Sequence, residues 1–252
     1  MRSLLILLAL LAAPLRAEEV VLGLSQDQVS ISTNFDGSEI IIYGAIKRET
    51  PIPMAEPLQV IVTVSGPRVP VTVRRKERRL GIWVNVDSVN VDAAPSFYAV
   101  ATSAPWNEVI SDTEDLRHSI SIPRAIRSVG APMNVAEPQA FTDAVIRIRT
   151  ENGLYALKEG AVDLRESTLF DTAIDMPANL TEGDYRTRIF LTRGGDVVSM
   201  YETSIDVRKV GLERWLFNLS RQQPLVYGLL SLAIAIAAGW GASAAFRLMR
   251  SG

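Results

Sequence analysis

The 252-residue chain contains no cysteine and a single histidine, His118. The first absence excludes disulfides, thiolate metal sites and thiol nucleophiles. The second removes paired-histidine zinc or copper sites and leaves a hydrolytic triad resting on one side chain. Beside Arg117 and ahead of an apolar run, His118 reads as a surface or interface residue. Glycine-rich phosphate loops are also missing. Gly66 precedes Pro67, and Gly194 with Gly195 separates two alternating segments, so these are turn glycines. The six methionines are scattered singly, the pattern of packing rather than of soft-metal ligation. No catalytic residue, cofactor site or metal site is expected.

Charge is absent from one long stretch, Pro224 to Phe246. As a helix it measures roughly 35 Å, enough to cross a hydrocarbon core of about 30 Å with some tilt. The expectation is a transmembrane helix over 224–246. Within it Ser231, Ala235, Gly239 and Ser243 recur every four residues, a small-residue stripe on which the helix of a membrane protein partner could pack. Upstream, residues 209–223 read as a juxtamembrane amphipathic helix, with Leu212, Trp215, Leu216 and Leu219 on one face. Trp215, Tyr227 and Trp240 are the expected membrane-interface residues.

At the other end, residues 1–17 read as a signal peptide: Arg2, an apolar run from Leu4 to Ala13, and Ala17 at the cut. Leu15 matches the cleavage pattern poorly, so an uncleaved signal anchor is the alternative. Export then places residues 18–223 in the periplasm, the span in the bacterial inner membrane and residues 247–252 in the cytoplasm. Arg247 and Arg250 agree with a positive inner flank, while Arg208, Lys209, Arg214 and Arg221 run against it. The leading signal decides. Without the arginines of signal and tail, 22 basic side chains face 28 acidic ones. That balance argues against nucleic acid or anionic lipid as the main ligand of the domain.

Between the two ends the periodicity is that of strands. Residues 20–24, 28–32 and 38–47 are short apolar or alternating runs, and LQVIVTVS from Leu58 to Ser65 is the clearest strand. Val69–Val73 and Gly81–Val91 predict a hairpin whose end is the run RRKERR, Arg74 to Arg79. Its charge reads as a device that blocks edge pairing. After a strand at 96–103 the texture changes, with a short helix expected at 124–128 and another at 138–150, where Phe141, Ala144, Val145 and Ile148 fall at helical spacing. Strands resume at 155–157, 161–164 and 168–174. A long hairpin over 184–207 turns at Gly194–Gly195. Gly183 and Tyr185 match the approach to a tyrosine corner, in which the hydroxyl ties the chain to upstream backbone.

The expected fold is mainly β: one or two immunoglobulin-like antiparallel β-sandwich domains, a short helical middle segment and the C-terminal span. The division by sequence is a β-sandwich over 18–123, a helical linker or insertion over 124–152 and a second β-rich unit over 153–208. Glu108, Asp112, Glu114 and Asp115 match no calcium loop and read as a solvated acidic loop. The competing expectation is a ligand receptor or enzyme with a site between the two halves, built from Trp106, Asp112, Glu114 and His118.

Three segments, Glu18 to Ile46, Gly183 to Gly195 and the terminal span, carry a resemblance. In them the chain resembles the Alph_Pro_TM transmembrane protein family of alphaproteobacteria, a group of about this length with no assigned activity. The resemblance covers nearly the whole chain and brings no catalytic motif. It implies an accessory subunit working beside a sulfite-exporter type permease. Together with the residues themselves, the expectation is a non-enzymatic accessory or binding subunit of a transporter or envelope complex.

Overall fold

The computed structural model describes residues 18–31, 37–48, 56–128, 137–209 and 212–250. The signal peptide read over 1–17 lies outside them, as do the last two residues of the tail. Among the described residues the chain is mainly β.

Four strands, β1 (Glu18–Leu24), β3 (Ser38–Arg48), β9 (Asp163–Arg165) and β10 (Leu169–Met176), form a sheet in the order β1-β3-β10-β9, antiparallel throughout. A six-stranded sheet joins β2 (Gln28–Ile31), β4 (Leu58–Ser65), β7 (Tyr98–Thr102), β8 (Tyr155–Lys158), β11 (Gly183–Arg193) and β12 (Asp196–Lys209) in the order β2-β12-β11-β4-β7-β8. Strands β5 (Arg68–Arg79) and β6 (Ile82–Pro95) form a separate two-stranded sheet, with Ala93 of β6 also bridged to Arg127. Between β7 and β8 lie helices α1 (Trp106–Val109), α2 (Asp112–His118), α3 (Ile122–Ala125) and α4 (Pro138–Glu151). Helices α5 (Leu212–Gln222) and α6 (Pro224–Arg250) close the chain.

The strand pairing ignores the division drawn from chain order. β3 pairs with β10, β4 with β11, and β7 with β8, so both halves contribute to both large sheets. One compact unit comprises Met1–Val29 and Asp36–Val207, the other Ser30–Phe35 and Arg208–Gly252. Both β-rich halves thus fall within one unit. β7 and β8 run parallel, Tyr98 opposite Tyr155, which departs from the all-antiparallel sandwich expected. A parallel neighbour needs a long crossover, and the helices α1–α4 supply it.

Strand β4 shows what the core requires. Its Val60, Val62 and Val64 point one way and Ile61, Thr63 and Ser65 the other, yet all six are buried. Two-sided burial explains why both faces of LQVIVTVS are rich in β-branched residues. Against the face of Ile61, Tyr98, Val100 and Phe190 pack Val109, Ile120, Ala125 and Val145 from the helical layer, with Val91 from β6. The four-stranded sheet buries alternate residues, Ile40, Ile42 and Ile46 on β3, and Phe170, Ile174 and Met176 on β10. There β10 approaches β7.

Two local expectations hold. Gly194 and Gly195 turn the β11–β12 hairpin with φ of 58° and 87°, a conformation glycine adopts without a Cβ clash. Tyr185, fully buried, donates its hydroxyl to the carbonyl of Thr181 at 2.7 Å, the tyrosine corner. Replacing Tyr185 with phenylalanine is expected to lower stability by about 1 kcal/mol, the net worth of the part-buried hydrogen bond that is lost. The urea unfolding midpoint of the detergent-solubilised chain checks this, and no shift would make the hydroxyl dispensable.

Candidate membrane and partner surfaces

Helix α5 carries Trp215 and Phe217 exposed, with Leu216 and Leu219 partly covered. The Arg221 guanidinium lies 5.4 Å over the Phe217 ring, and the Ser220 hydroxyl donates to the Phe217 carbonyl at 2.8 Å. Only Gln223 interrupts the helix before α6. Gln223 N–H still donates to Leu219 and Tyr227 N–H to Gln223, both at 3.0 Å, so the hydrogen-bond ladder runs through the join. Pro224 occupies the first position of α6, where its missing N–H costs nothing.

Within α6, Pro224–Ser243 is long and apolar enough to cross a membrane, with a mean hydropathy of 1.8 and no burial inside the protein. The helix continues to Arg250, past the expected end at Phe246. Ser231, Ala235, Gly239 and Ser243 are all exposed, as are Tyr227 and Trp240. The Ser231 hydroxyl already donates to the Tyr227 carbonyl at 2.8 Å, so it is satisfied within its own helix. A Cβ added at Gly239 would meet nothing within 4 Å, so no packing inside this chain requires glycine there.

The acidic segment is ordered rather than a solvated loop. Ser111 caps α2, its hydroxyl accepting from Glu114 N–H at 3.4 Å, while its own N–H donates to the Gly195 carbonyl at 2.9 Å. Glu114 and Asp115 are buried. Asp115 Oδ1 accepts from Ile120 N–H at 3.1 Å and Ser121 N–H at 2.6 Å, while Glu114 pairs with Arg117 and stands 3.4 Å from His118 Nε2. The His118 ring packs edge-on to Phe190 at 5.6 Å. Of the competing site, then, Glu114 and His118 meet, whereas Asp112 is exposed and outside these contacts. Among the described residues no cluster of three or more acidic or histidine side chains could hold a metal.

Sequence reasoning passed over the residue that fastens this segment. Arg188, on β11, donates to the carbonyls of His118 at 2.8 Å and Ser119 at 3.1 Å and to the Tyr98 hydroxyl at 3.3 Å, with its guanidinium 5.1 Å over Phe190. It places a cation at the C-terminus of α2, where the helix dipole favours one. The signal was available: in RTRIFLT, Arg188 falls on the same strand face as Phe190. Tyr98 donates in turn to Ile120 O and Tyr155 to Pro95 O, each at 2.7 Å, and burial pushes both phenols up, Tyr155 to about 12.

Between strands of the two halves lies a depression of about 590 Å³ lined by Ser38, Glu39, Ala99, Lys158, Ile174 and Asp175, among others. None of Trp106, Asp112, Glu114 or His118 reaches it, and Lys158 pairs with Asp175 at its edge.

The β5–β6 hairpin ends differently from the rest of the fold. The run Arg74 to Arg79 is strand rather than loop, and every residue from Lys76 to Trp83 is exposed. Arg75 pairs with Asp87 and Arg79 with Glu77. At the turn Leu80 and Gly81 both take positive φ, 50° and 86°.

A family model described as "Putative transmembrane protein (Alph_Pro_TM)" matches residues 19–248. No curated protein matches the chain.

Proposed function

The chain belongs to this transmembrane protein family, and on that premise we propose that it is a non-enzymatic accessory or binding subunit of a membrane transporter or envelope complex. Its β-rich unit stands in the periplasm, its span lies in the inner membrane and its C-terminus is cytoplasmic. The export signal expected over 1–17 supports that orientation. The tyrosine corner at Tyr185 supports an immunoglobulin-like origin for the β-rich unit. The resemblance implies a sulfite-exporter type permease, which is the first partner to look for.

The observation that carries the reading is the open small-residue face of α6. Ser231, Ala235, Gly239 and Ser243 are exposed, and the space at Gly239 is unused by this chain. Small residues on a membrane helix allow close backbone approach by a neighbouring helix. Full-length protein taken from native membranes in mild detergent is expected to bring down a polytopic membrane protein. Ala235→Leu with Gly239→Leu is expected to reduce that recovery on the order of tenfold. A chain that runs alone, or a complex indifferent to both replacements, would sink the proposal.

A further inference from the structure

The tip of the β5–β6 hairpin is built against its own turn chemistry. A two-residue hairpin turn with both central residues at positive φ favours Asn-Gly or Gly-Gly, and the β11–β12 turn uses Gly194–Gly195. The β5–β6 turn instead holds Leu80 at a φ of 50° with its side chain fully exposed. A leucine in the left-handed region is strained and gains nothing from water. Beside it Ile82 is 65% and Trp83 68% exposed. Blocking edge pairing would explain the arginines but not these three side chains.

The base of the hairpin is rooted in the core, with Val89 and Val91 buried and the Arg75 guanidinium 5.6 Å over Phe141 of α4. Beyond that point the strands extend about 16 Å to the turn. The register sets Arg78 opposite Trp83, Arg79 opposite Ile82 and Lys76 opposite Asn85. Among the described residues no ion pair holds Arg74, Lys76 or Arg78. The acidic balance of the domain as a whole makes this basic, apolar tip a local exception.

We infer that the hairpin tip is a bilayer-docking device, with Leu80, Ile82 and Trp83 entering the interfacial layer of an anionic membrane while Lys76, Arg78 and Arg79 meet lipid phosphates. Aromatic and aliphatic side chains flanked by cations are what an anionic lipid surface binds. An acidic protein surface would use the charges but would leave a strained, protruding leucine without purpose. The chain belongs to a transmembrane family, so a bilayer is at hand at high effective concentration.

The absence of cysteine supplies the probe. Ile82→Cys in the full chain gives one thiol, to be labelled with an environment-sensitive nitrobenzoxadiazole dye. The labelled protein is then reconstituted into phosphatidylcholine vesicles or into vesicles with about a third phosphatidylglycerol. A blue shift, quenching by brominated acyl chains and a roughly threefold rise in emission are expected in the anionic vesicles only. Leu80→Asn, which suits the turn and so preserves folding, should remove most of the rise. So should Lys76→Gln combined with Arg78→Gln. A dye that stays in water on anionic vesicles, the same signal in both lipids, or indifference to Leu80→Asn overturns the inference. A dye shielded only in native membranes overturns it in favour of an acidic protein surface.

Discussion

Replacing Arg188 with alanine is expected to destabilise the β-rich unit by about 2–3 kcal/mol, the cost of leaving part-buried acceptors without a charged donor. The guanidinium serves two backbone carbonyls at the end of α2 and the Tyr98 hydroxyl at once. Its loss leaves the two carbonyls without this donor, removes a cation from the helix C-terminus and leaves the Tyr98 hydroxyl with its bond to Ile120 O. Arg188→Lys should recover only part of the loss, because an ammonium cannot reproduce the planar fork. Urea midpoints measure the total. Hydrogen exchange locates it, with protection around Ser119 to Ser121 falling well before that of β4. A change below about 1 kcal/mol would mean that the other fastenings of α2, the Asp115 bonds and the packing against Phe190, hold it without Arg188.

The second large effect is alkaline. Tyr155 has its phenol pushed up to about 12, with Tyr98 and Tyr185 raised in the same direction, chiefly because burial disfavours the phenolate. In the unfolded chain these groups lose their protons near 10, while in the folded chain they keep them. The unfolded state therefore binds fewer protons above that pH, and stability falls as pH rises. For Tyr155 alone the loss across pH 10 to 12 is about 2–3 kcal/mol, at about 1.4 kcal/mol per unit. Below pH 9 no such loss is expected. Denaturant midpoints at pH 9 and pH 11.5 check this, and Tyr155→Phe should flatten the slope. A flat profile for the natural chain would mean that water reaches these rings.

Much of the local structure was legible in the sequence. The alternation of LQVIVTVS marks β4, the helical spacing of Phe141, Ala144, Val145 and Ile148 marks α4, and the paired glycines mark the β11–β12 turn. Tyr185 announced its corner because that motif is local. The pairing of β3 with β10 was not legible, since periodicity says which face of a strand is buried but not which strand lies beside it. α2 was missed for a different reason. Four carboxylates close together read as solvent, although Ser111 with Glu114 spelled out the cap. Of the candidate surfaces, the stripe on α6 could be read directly. The hairpin and its charged end could be read as well, but not that its turn holds Leu80 at positive φ.

The interleaved sheets also bear on how the chain can be made. Ile61 is in register with Phe190 and Ile42 with Thr172, so each large sheet waits for residues that leave the ribosome long after its first strands. Such distant pairings close slowly, and until they close the early strands keep open edges. LQVIVTVS is the segment at greatest hazard, being buried on both faces in the fold and lacking its β11 neighbour until residue 193 has emerged. A nascent chain of this protein must therefore be kept apart from its copies until most of its length has been delivered.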